Sequence, residues 1–169
     1  MIQTTLILNC KKYYISKQLK EFRPYYCVMA KVYNEDLYYT KSGVELHEYK
    51  MHKYVYNLHV VNVPKIVKYD KRTKVMVMHK VNGLNISDMY SETLDNISNE
   101  LFEQVREIIK TLVYHNVEYI DITGYNFILD NNDKLWIIDF EHAKYTIPMN
   151  DEFVKKFCNG LNEWNPEFR

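Results

Sequence analysis

Residues 119–144 read YIDITGYNFILDNNDKLWIIDFEHAK, and this stretch decides the fold that the sequence predicts. Asp121 and Asp139 stand in apolar runs typical of strand ends, where acidic residues are uncommon. Asn126 follows the first aspartate by five residues and precedes the second by thirteen. The runs YNFIL and LWIIDF flank the turn sequence at 130–133, which predicts a β-hairpin. Such a hairpin would return Asp139 to the edge that carries Asp121 and Asn126.

Three side chains that carry oxygen atoms at one edge of a sheet suit the binding of a metal ion. Magnesium prefers carboxylate, carbonyl, water and phosphate oxygens as ligands. A further carboxylate can accept or orient the proton of a nucleophilic hydroxyl. The pattern therefore predicts a metal–triphosphate site. The plainer alternative is that these residues only flank turns, where Asp and Asn are common; their spacing and apolar context favour the site.

Composition excludes several classes of function. The 169 residues are 47% hydrophobic, and 22 basic side chains balance 22 acidic ones, so no field favours binding to nucleic acid or to an anionic membrane. Three widely spaced cysteines indicate neither a disulfide framework nor a zinc site. The first apolar run spans only three residues, which is too short for a signal peptide or a membrane span. These features predict a cytoplasmic protein.

The first half predicts an antiparallel sheet with one helix. Five segments rich in tyrosine or β-branched residues read as strands: 4–9, 11–16, 25–33, 65–69 and 74–81. A polar connection is expected over 34–41. A capping box formed by Ser42 and Glu45 predicts the start of a helix over 46–60. Two of its faces remain candidates for burial: one with Leu46, Tyr49 or Lys50, and Lys53, the other with Glu48, Met51, His52 and Val55.

The second half predicts helices around the hairpin. A short helix is expected at 85–90, the strongest helix at 98–115, and a last one at 151–160. The dipeptide Asn82-Gly83 breaks the pattern and is the natural boundary between two lobes, 1–82 and 83–169.

The loop and hairpin motifs resemble those of the protein-kinase superfamily. That family has a D-x-x-x-x-N catalytic loop followed by D-F-G. Here the loop is Asp121 to Asn126 and the metal motif is Asp139-Phe140-Glu141. The resemblance implies an α+β, reduced bilobal kinase-like fold, with a five-stranded antiparallel N-lobe sheet and one helix above a truncated, mainly helical C-lobe.

The resemblance also assigns roles to individual residues. The segment CVMAKV at 27–32 is similar to the V-A-I-K strand, so Lys31 would hold the α- and β-phosphates of ATP. Its expected partner is Glu48, with Glu45 as second choice. The backbone of Met78, His79 and Lys80 would meet adenine.

For the chemical step, the resemblance implies that Asp121, Asn126 and Lys31 are catalytic. Asn126 and Asp139 would hold Mg²⁺, with Mn²⁺ as an alternative.

The sequence departs from the kinase pattern at several positions. Tyr119 and Ile120 replace the histidine and arginine of H-R-D, and Thr123 replaces a lysine. Glu141 replaces the last glycine of D-F-G, as in choline-kinase-like and aminoglycoside-phosphotransferase-like enzymes.

The glycine-rich phosphate loop of kinases is also missing. No glycine precedes Gly43, so this loop cannot exist in the chain. Lys11 and Lys12 would contact the phosphates instead, unless they only form a solvated turn.

Two hypotheses of function follow. The first is a minimal ATP-dependent kinase that transfers the γ-phosphate to a hydroxyl, on protein serine or threonine (its own included) or on a small molecule. The alternative is a pseudokinase that binds a nucleotide or a partner without turnover. A chain this short lacks the usual peptide platform, which leaves room for a protein partner that compensates. The Asn-, Lys- and Tyr-rich composition fits an AT-rich genome such as that of a large DNA virus, which would place the protein in the host cytoplasm.

Overall fold

Three strands of the first half form an antiparallel sheet. The computed structural model describes residues 33–90 and 96–168, which all belong to a unit beginning at Tyr33. The strands are β1 (Tyr38–Ser42), β2 (Ile66–Asp70) and β3 (Val75–His79), in the order β1-β3-β2. The central strand β3 is also the most apolar, and three of its five residues are buried. This register places Lys41 of β1 opposite Met76 of β3.

Helix α1 (Leu46–Leu58) follows the sheet's first strand after a turn at Gly43, whose φ of 80° favours glycine. Its buried residues are Glu48, Met51, His52 and Val55, which is the second of the two faces that the sequence left open. The buried face of α1 therefore combines a carboxylate and an imidazole with apolar side chains, which sets up the site described below.

Two local predictions for this region are wrong. The segment 34–41 was expected to be a polar connection, but its end belongs to β1, which forms because β3 supplies a pairing partner distant in sequence. The predicted capping box does not form, because Ser42 is the last residue of β1 and Glu45 makes no capping hydrogen bond. Glu45 pairs with Lys74 instead. The first three predicted strands lie outside the described residues except for Tyr33, so a five-stranded sheet stays a prediction.

The second half contains the predicted helices and hairpin. Its helices are α2 (Ile86–Tyr90), α3 (Asn99–Tyr114) and α4 (Glu152–Cys158). Its strands are β4 (Gly83–Asn85), β5 (Val117–Glu118), β6 (Phe127–Asp130), β7 (Leu135–Ile137) and β8 (Lys144–Tyr145). They form a sheet of order β4-β6-β7 and a two-stranded sheet of β5 and β8. The division into lobes after residue 82 stays a prediction.

Side-chain caps and a dense core hold the helices. The Ser98 hydroxyl accepts a hydrogen bond from the Leu101 amide at the start of α3, and Asp151 accepts one from Val154 at the start of α4. α3 buries Leu101, Phe102, Val105, Ile109 and Leu112 against α4 and the hairpin. None of the helices within 33–90 and 96–168 combines the length and the apolar character that a membrane crossing needs.

A buried arginine ties α3 to the C-terminal segment. Arg106 is 2% exposed, and its guanidinium donates to the carbonyls of Phe157 at 2.6 Å and Leu161 at 3.1 Å, and to the Asn162 side chain at 2.6 Å. It also pairs with Glu103. The buried guanidinium is therefore matched by these acceptors, of which the Phe157 carbonyl also accepts from the Gly160 amide at 3.1 Å.

We expect Arg106→Met to lower the free energy of unfolding by about 3 kcal/mol, since it removes these hydrogen bonds from partly or fully buried acceptors. The matched control is Lys110→Met on the exposed side of the same helix, which should change stability by less than about 0.5 kcal/mol. Urea unfolding followed by circular dichroism measures both. Equal losses in the two variants would contradict this account of Arg106.

Candidate active site

A single lysine joins the strand, the helix and the hairpin. The Nζ of Lys41 lies 2.8 Å from an Oε of Glu48 and 2.8 Å from an Oδ of Asp139. The Glu48 side chain is 3% exposed, while those of Lys41 and Asp139 are 22% and 31% exposed. The cluster therefore has a buried end on α1 and a solvent-facing end at Asp139.

The hairpin presents Asp139 in an unusual backbone conformation. Asp139 follows β7 with a φ of 60°, in the left-handed region that residues other than glycine seldom adopt. Its second carboxylate oxygen accepts a weak hydrogen bond from the Glu141 amide at 3.4 Å. The Ile138 amide, one residue earlier, donates to the carbonyl of Asn126 at 3.0 Å. The metal motif is thus joined directly to the predicted catalytic loop, as the hairpin pattern indicated.

Within the catalytic loop, side chains hold Asp121. The Thr123 hydroxyl donates to its carboxylate at 3.3 Å, and the Asn126 amide donates to its carbonyl at 3.1 Å. Asn126 is 7% exposed, and its Nδ2 is used in this contact. Gly124 is required by packing, since a Cβ there would lie 2.5 Å from the hydroxyl oxygen of Ser87.

The loop is also held from behind by the C-terminal segment. The side-chain amide of Asn165 donates to the carbonyl of Ile120 at 2.7 Å, and its backbone amide donates to the carbonyl of Ile122 at 2.9 Å. Asn165 is 1% exposed, and the neighbouring Trp164 packs in the core against Phe127. Asn165 therefore brackets Asp121 on both sides without touching its carboxylate.

Burial and charge change the acidity of these groups. Burial raises the pKa of Asp121, and the nearby charge of Asp139 adds to the effect, against the hydrogen bonds from Asn126 and Thr123. Burial likewise raises the pKa of Glu48. For Lys41 burial acts to lower the pKa, but its bonds to Asp139 and Glu48 outweigh burial and raise it. The lysine therefore remains charged between the two carboxylates.

A buried histidine connects α1 to the metal motif. The Nε2 of His52 lies 2.6 Å from the carbonyl of Pro64, and its ring meets that of Phe140 edge-on at 5.3 Å. Phe140 in turn contacts Tyr119, whose hydroxyl donates to the carbonyl of Ile138 at 2.8 Å. Burial lowers the pKa of His52, so the neutral imidazole, with its proton on Nε2, is the form that fits here.

The predicted adenine-binding residues lie at the end of β3. Met78 is buried in the sheet, and the amides of His79 and Lys80 donate to the carbonyls of Lys65 and Leu37, each at 2.9 Å. These two amides are therefore already used by the protein. Val81, the next residue, makes no amide hydrogen bond with any part of the chain that the structure describes.

Three predicted contact residues, Lys11, Lys12 and Lys31, lie outside the described residues. In the structure Lys41 pairs with Glu48, the partner that the sequence predicted for Lys31, and also with Asp139. Lys41 was missed because its surroundings, YYTKS, lack the apolar context around Lys31. In the sequence, Lys41 is marked only by its position seven residues before Glu48, and such a spacing is common among lysines.

The acidic groups fit a divalent cation. Carboxylate oxygens of Glu48, Asp139 and Glu141 lie within 4.8 Å of one another, and Asn126 is joined to the same edge. Hard oxygen donors of this kind suit Mg²⁺ and Mn²⁺. Glu141 was treated in the sequence only as a replacement for glycine, and its contribution to this cluster was missed.

Comparison with known proteins agrees with this geometry. The family profile described as RIO domain matches residues 12–164, which is most of the chain. No match was found among curated proteins.

The buried imidazole predicts a pH dependence of stability. Because the pKa of His52 in the folded protein lies below its ordinary value of about 6.5, the unfolded chain takes up a proton first as pH falls. This contribution to stability should therefore be complete well above pH 6.5 and be lost progressively as pH falls through about 6.5. In His52→Gln, where an amide can still donate to Pro64, this component should disappear.

Urea unfolding of both proteins at about pH 7.5, 6.5 and 5.5 measures the effect, since all other groups contribute equally to both. The same loss of stability in parent and variant would show that His52 does not titrate as expected.

Proposed function

The chain belongs to the RIO family of atypical, protein-kinase-like proteins, and from this premise we propose that it is a magnesium-dependent kinase. Its acceptor would be a hydroxyl, on protein serine or threonine, including its own residues, or on a small molecule. The observation that carries the proposal is the bridge of Lys41 between Glu48 and Asp139, beside a loop that holds Asp121 and Asn126.

We assign the phosphate-binding role to Lys41 rather than to Lys31. Glu48 is buried on α1 and holds the lysine by one ion pair, which leaves other Nζ protons to meet phosphate oxygens. In the nucleotide-free arrangement Asp139 takes that place at 2.8 Å. A triphosphate with its metal would compete for both partners, because it offers anionic oxygens to Lys41 and a cation to Asp139.

Asn126 and Asp139 would hold the Mg²⁺, with Glu141 available from the same cluster. The cation supplies neutralisation of the developing negative charge on the phosphates. The Oδ1 of Asn126 suits this role because Nδ2 is fixed on the Asp121 carbonyl.

For adenine we propose the amide of Val81 as the donor. The neighbouring amides of His79 and Lys80 are bonded within the protein, so the free donor in this segment is one residue later than the sequence suggested.

Asp121 would accept the proton of the acceptor hydroxyl. In the transfer, a bond forms between the acceptor oxygen and the γ-phosphorus, and the bond from that phosphorus to the bridging oxygen breaks. ADP leaves, and the hydroxyl proton passes to the Asp121 carboxylate. The raised pKa of Asp121 supports this role, because a more basic carboxylate accepts a proton more readily.

The two lysines can be distinguished directly. Lys41→Met should reduce phosphate transfer from ATP by about 100-fold or more, because it removes the cation that meets the phosphates. Lys31→Met is the matched control and should keep most of the activity. The measurement is transfer of labelled γ-phosphate with magnesium, to the protein itself and to a panel of proteins and hydroxylated metabolites. Loss of transfer in Lys31→Met alone would return the role to Lys31.

Asp121→Asn should lose transfer by about 100-fold or more while it still binds Mg-ATP, since the amide cannot accept the proton. Asp139→Asn should lose both transfer and the magnesium dependence of binding. Thermal shift with and without Mg-ATP measures binding beside the transfer assay. If the parent binds Mg-ATP and shows no transfer to any acceptor, the chain is the nucleotide-binding module of the second hypothesis.

A further inference from the structure

A groove lies between α1 and β2, on the edge strand of the described sheet. One cavity of about 220 Å³ is lined by residues of both elements, and a second of about 540 Å³ continues along the end of β3 to the β6–β7 turn. The two share Tyr56 and Lys65 and therefore adjoin each other, and we call the first of them the lysine groove. None of the residues proposed above for nucleotide binding or phosphate transfer lines the lysine groove, whereas Val81 lines the second cavity.

The charged lining of the first cavity is entirely basic. It consists of Lys53, Lys65 and Lys68. None of these three forms an ion pair with a carboxylate of residues 33–90 or 96–168, whereas Lys41 pairs with Glu48 and Asp139, and Lys74 pairs with Glu45. The groove therefore concentrates positive charge that no ion pair within those residues offsets, on a protein whose net charge is zero.

The second cavity adds to this charge. Lys80 and His79 lie along it, and its acidic residue is Asp130. That carboxylate is already occupied, because one oxygen accepts from the Trp136 indole at 2.9 Å and the other from the amides of Asn132 and Lys134. Because these hydrogen bonds, that of Trp136 first, lower the pKa of Asp130, the carboxylate stays charged and offsets part of the positive charge along this cavity.

The backbone beneath the groove is fixed before any ligand arrives. The Asn62 side chain donates to the carbonyl of Leu135 at 2.9 Å, and the Asn62 carbonyl accepts from Ile137 at 3.0 Å. The carbonyl of Pro64 is held by His52, and that of Lys65 by the amide of His79. Binding to such a preformed surface carries little cost for ordering the protein.

The aromatic residues indicate what kind of anion fits. Tyr49 and Tyr69 stack on each other at 4.3 Å with an interplanar angle of 11°, and the Lys53 Nζ lies 5.8 Å from the Tyr49 ring. The stack covers one face of each of these two rings, which reduces the aromatic surface on which the bases of a single-stranded nucleic acid can stack. The cavity instead has room for an apolar side chain between cationic walls.

The edge of β2 also restricts the mode of binding. Its register against β3 shifts between Ile66 and Lys68, which marks an irregularity of the strand. Such irregularities oppose the addition of a further strand at a sheet edge. A bound segment would therefore be held by its side chains.

We propose that the lysine groove binds an acidic peptide segment of a protein partner. Carboxylates of the segment meet Lys53, Lys65 and Lys68, and an apolar side chain between them enters the cavity beside Tyr56. Charge complementarity selects the partner, while the neutral remainder of the surface attracts no polyanion in general.

The test uses the full chain and a fluorescein-labelled peptide of sequence EDEFEDE, measured by fluorescence polarisation at low ionic strength. Saturable binding is expected, and it should weaken as salt is added. The double variant Lys53→Glu/Lys68→Glu should weaken binding by about ten-fold or more. The matched control Lys71→Glu/Lys144→Glu has the same net charge with both changes outside the groove, and should remain within about two-fold of the parent.

Circular dichroism and thermal melting check that each variant is folded. If the glutamate double variant is not folded, Lys53→Gln/Lys68→Gln takes its place, with Lys71→Gln/Lys144→Gln as control. The proposal is overturned if the parent shows no saturable binding, or if both double variants lose affinity equally. It is also overturned if a labelled twelve-nucleotide RNA binds more tightly than the peptide with the same dependence on Lys53 and Lys68.

Discussion

The positive charge of Lys41 is the point on which the other parts of the site depend. It links a carboxylate seven residues away on α1 to another that is 98 residues away at the end of the hairpin. Because Glu48 is almost completely buried, loss of the lysine would leave that carboxylate uncompensated, at a cost of about 3–5 kcal/mol. The position of α1 against the sheet and the position of the metal motif are therefore both set by one cation.

The second requirement is that Asp121 be held at a fixed distance from this cation. Here the chain uses backbone carbonyls rather than side-chain charge. Asn165 fixes the carbonyls on either side of Asp121, and Asn126 fixes the carbonyl of Asp121 itself. The carboxylate itself interacts with the Thr123 hydroxyl at 3.3 Å and with the Asn126 side chain. This division between a rigid backbone and a lightly bonded carboxylate is suited to proton transfer.

Part of this arrangement was predictable from the sequence because it is local. The hairpin, the helix over 98–115 and the interval between Asn126 and Asp139 follow from turn residues and periodicity within a few positions of each other. For α1 the sequence left two faces as candidates for burial, because the tyrosines obscured the apolar pattern. Family membership as a kinase-like protein is confirmed by the RIO domain match.

Other parts of the structure could not be predicted from the local sequence pattern. β1 forms only because β3 pairs with it, so its polar residues gave no strand signal of their own. Lys41 and Asn165 act through partners distant in the chain, and a single lysine or asparagine has no periodicity to reveal it. Lys31 has the better local context, and its role stays a prediction because it lies outside the described residues.

The clamp formed by Asn165 has a consequence for biosynthesis. Its bond to Ile120 spans 45 positions, so a ribosome has already produced Lys41, Asp121 and Asp139 well before the residue that fixes the loop exists. A translation product that stops short of Asn165 would carry every residue that we propose for phosphate transfer, but it would lack the two hydrogen bonds from Asn165 to the carbonyls of Ile120 and Ile122. The loop around Asp121 therefore gains these two bonds late in synthesis.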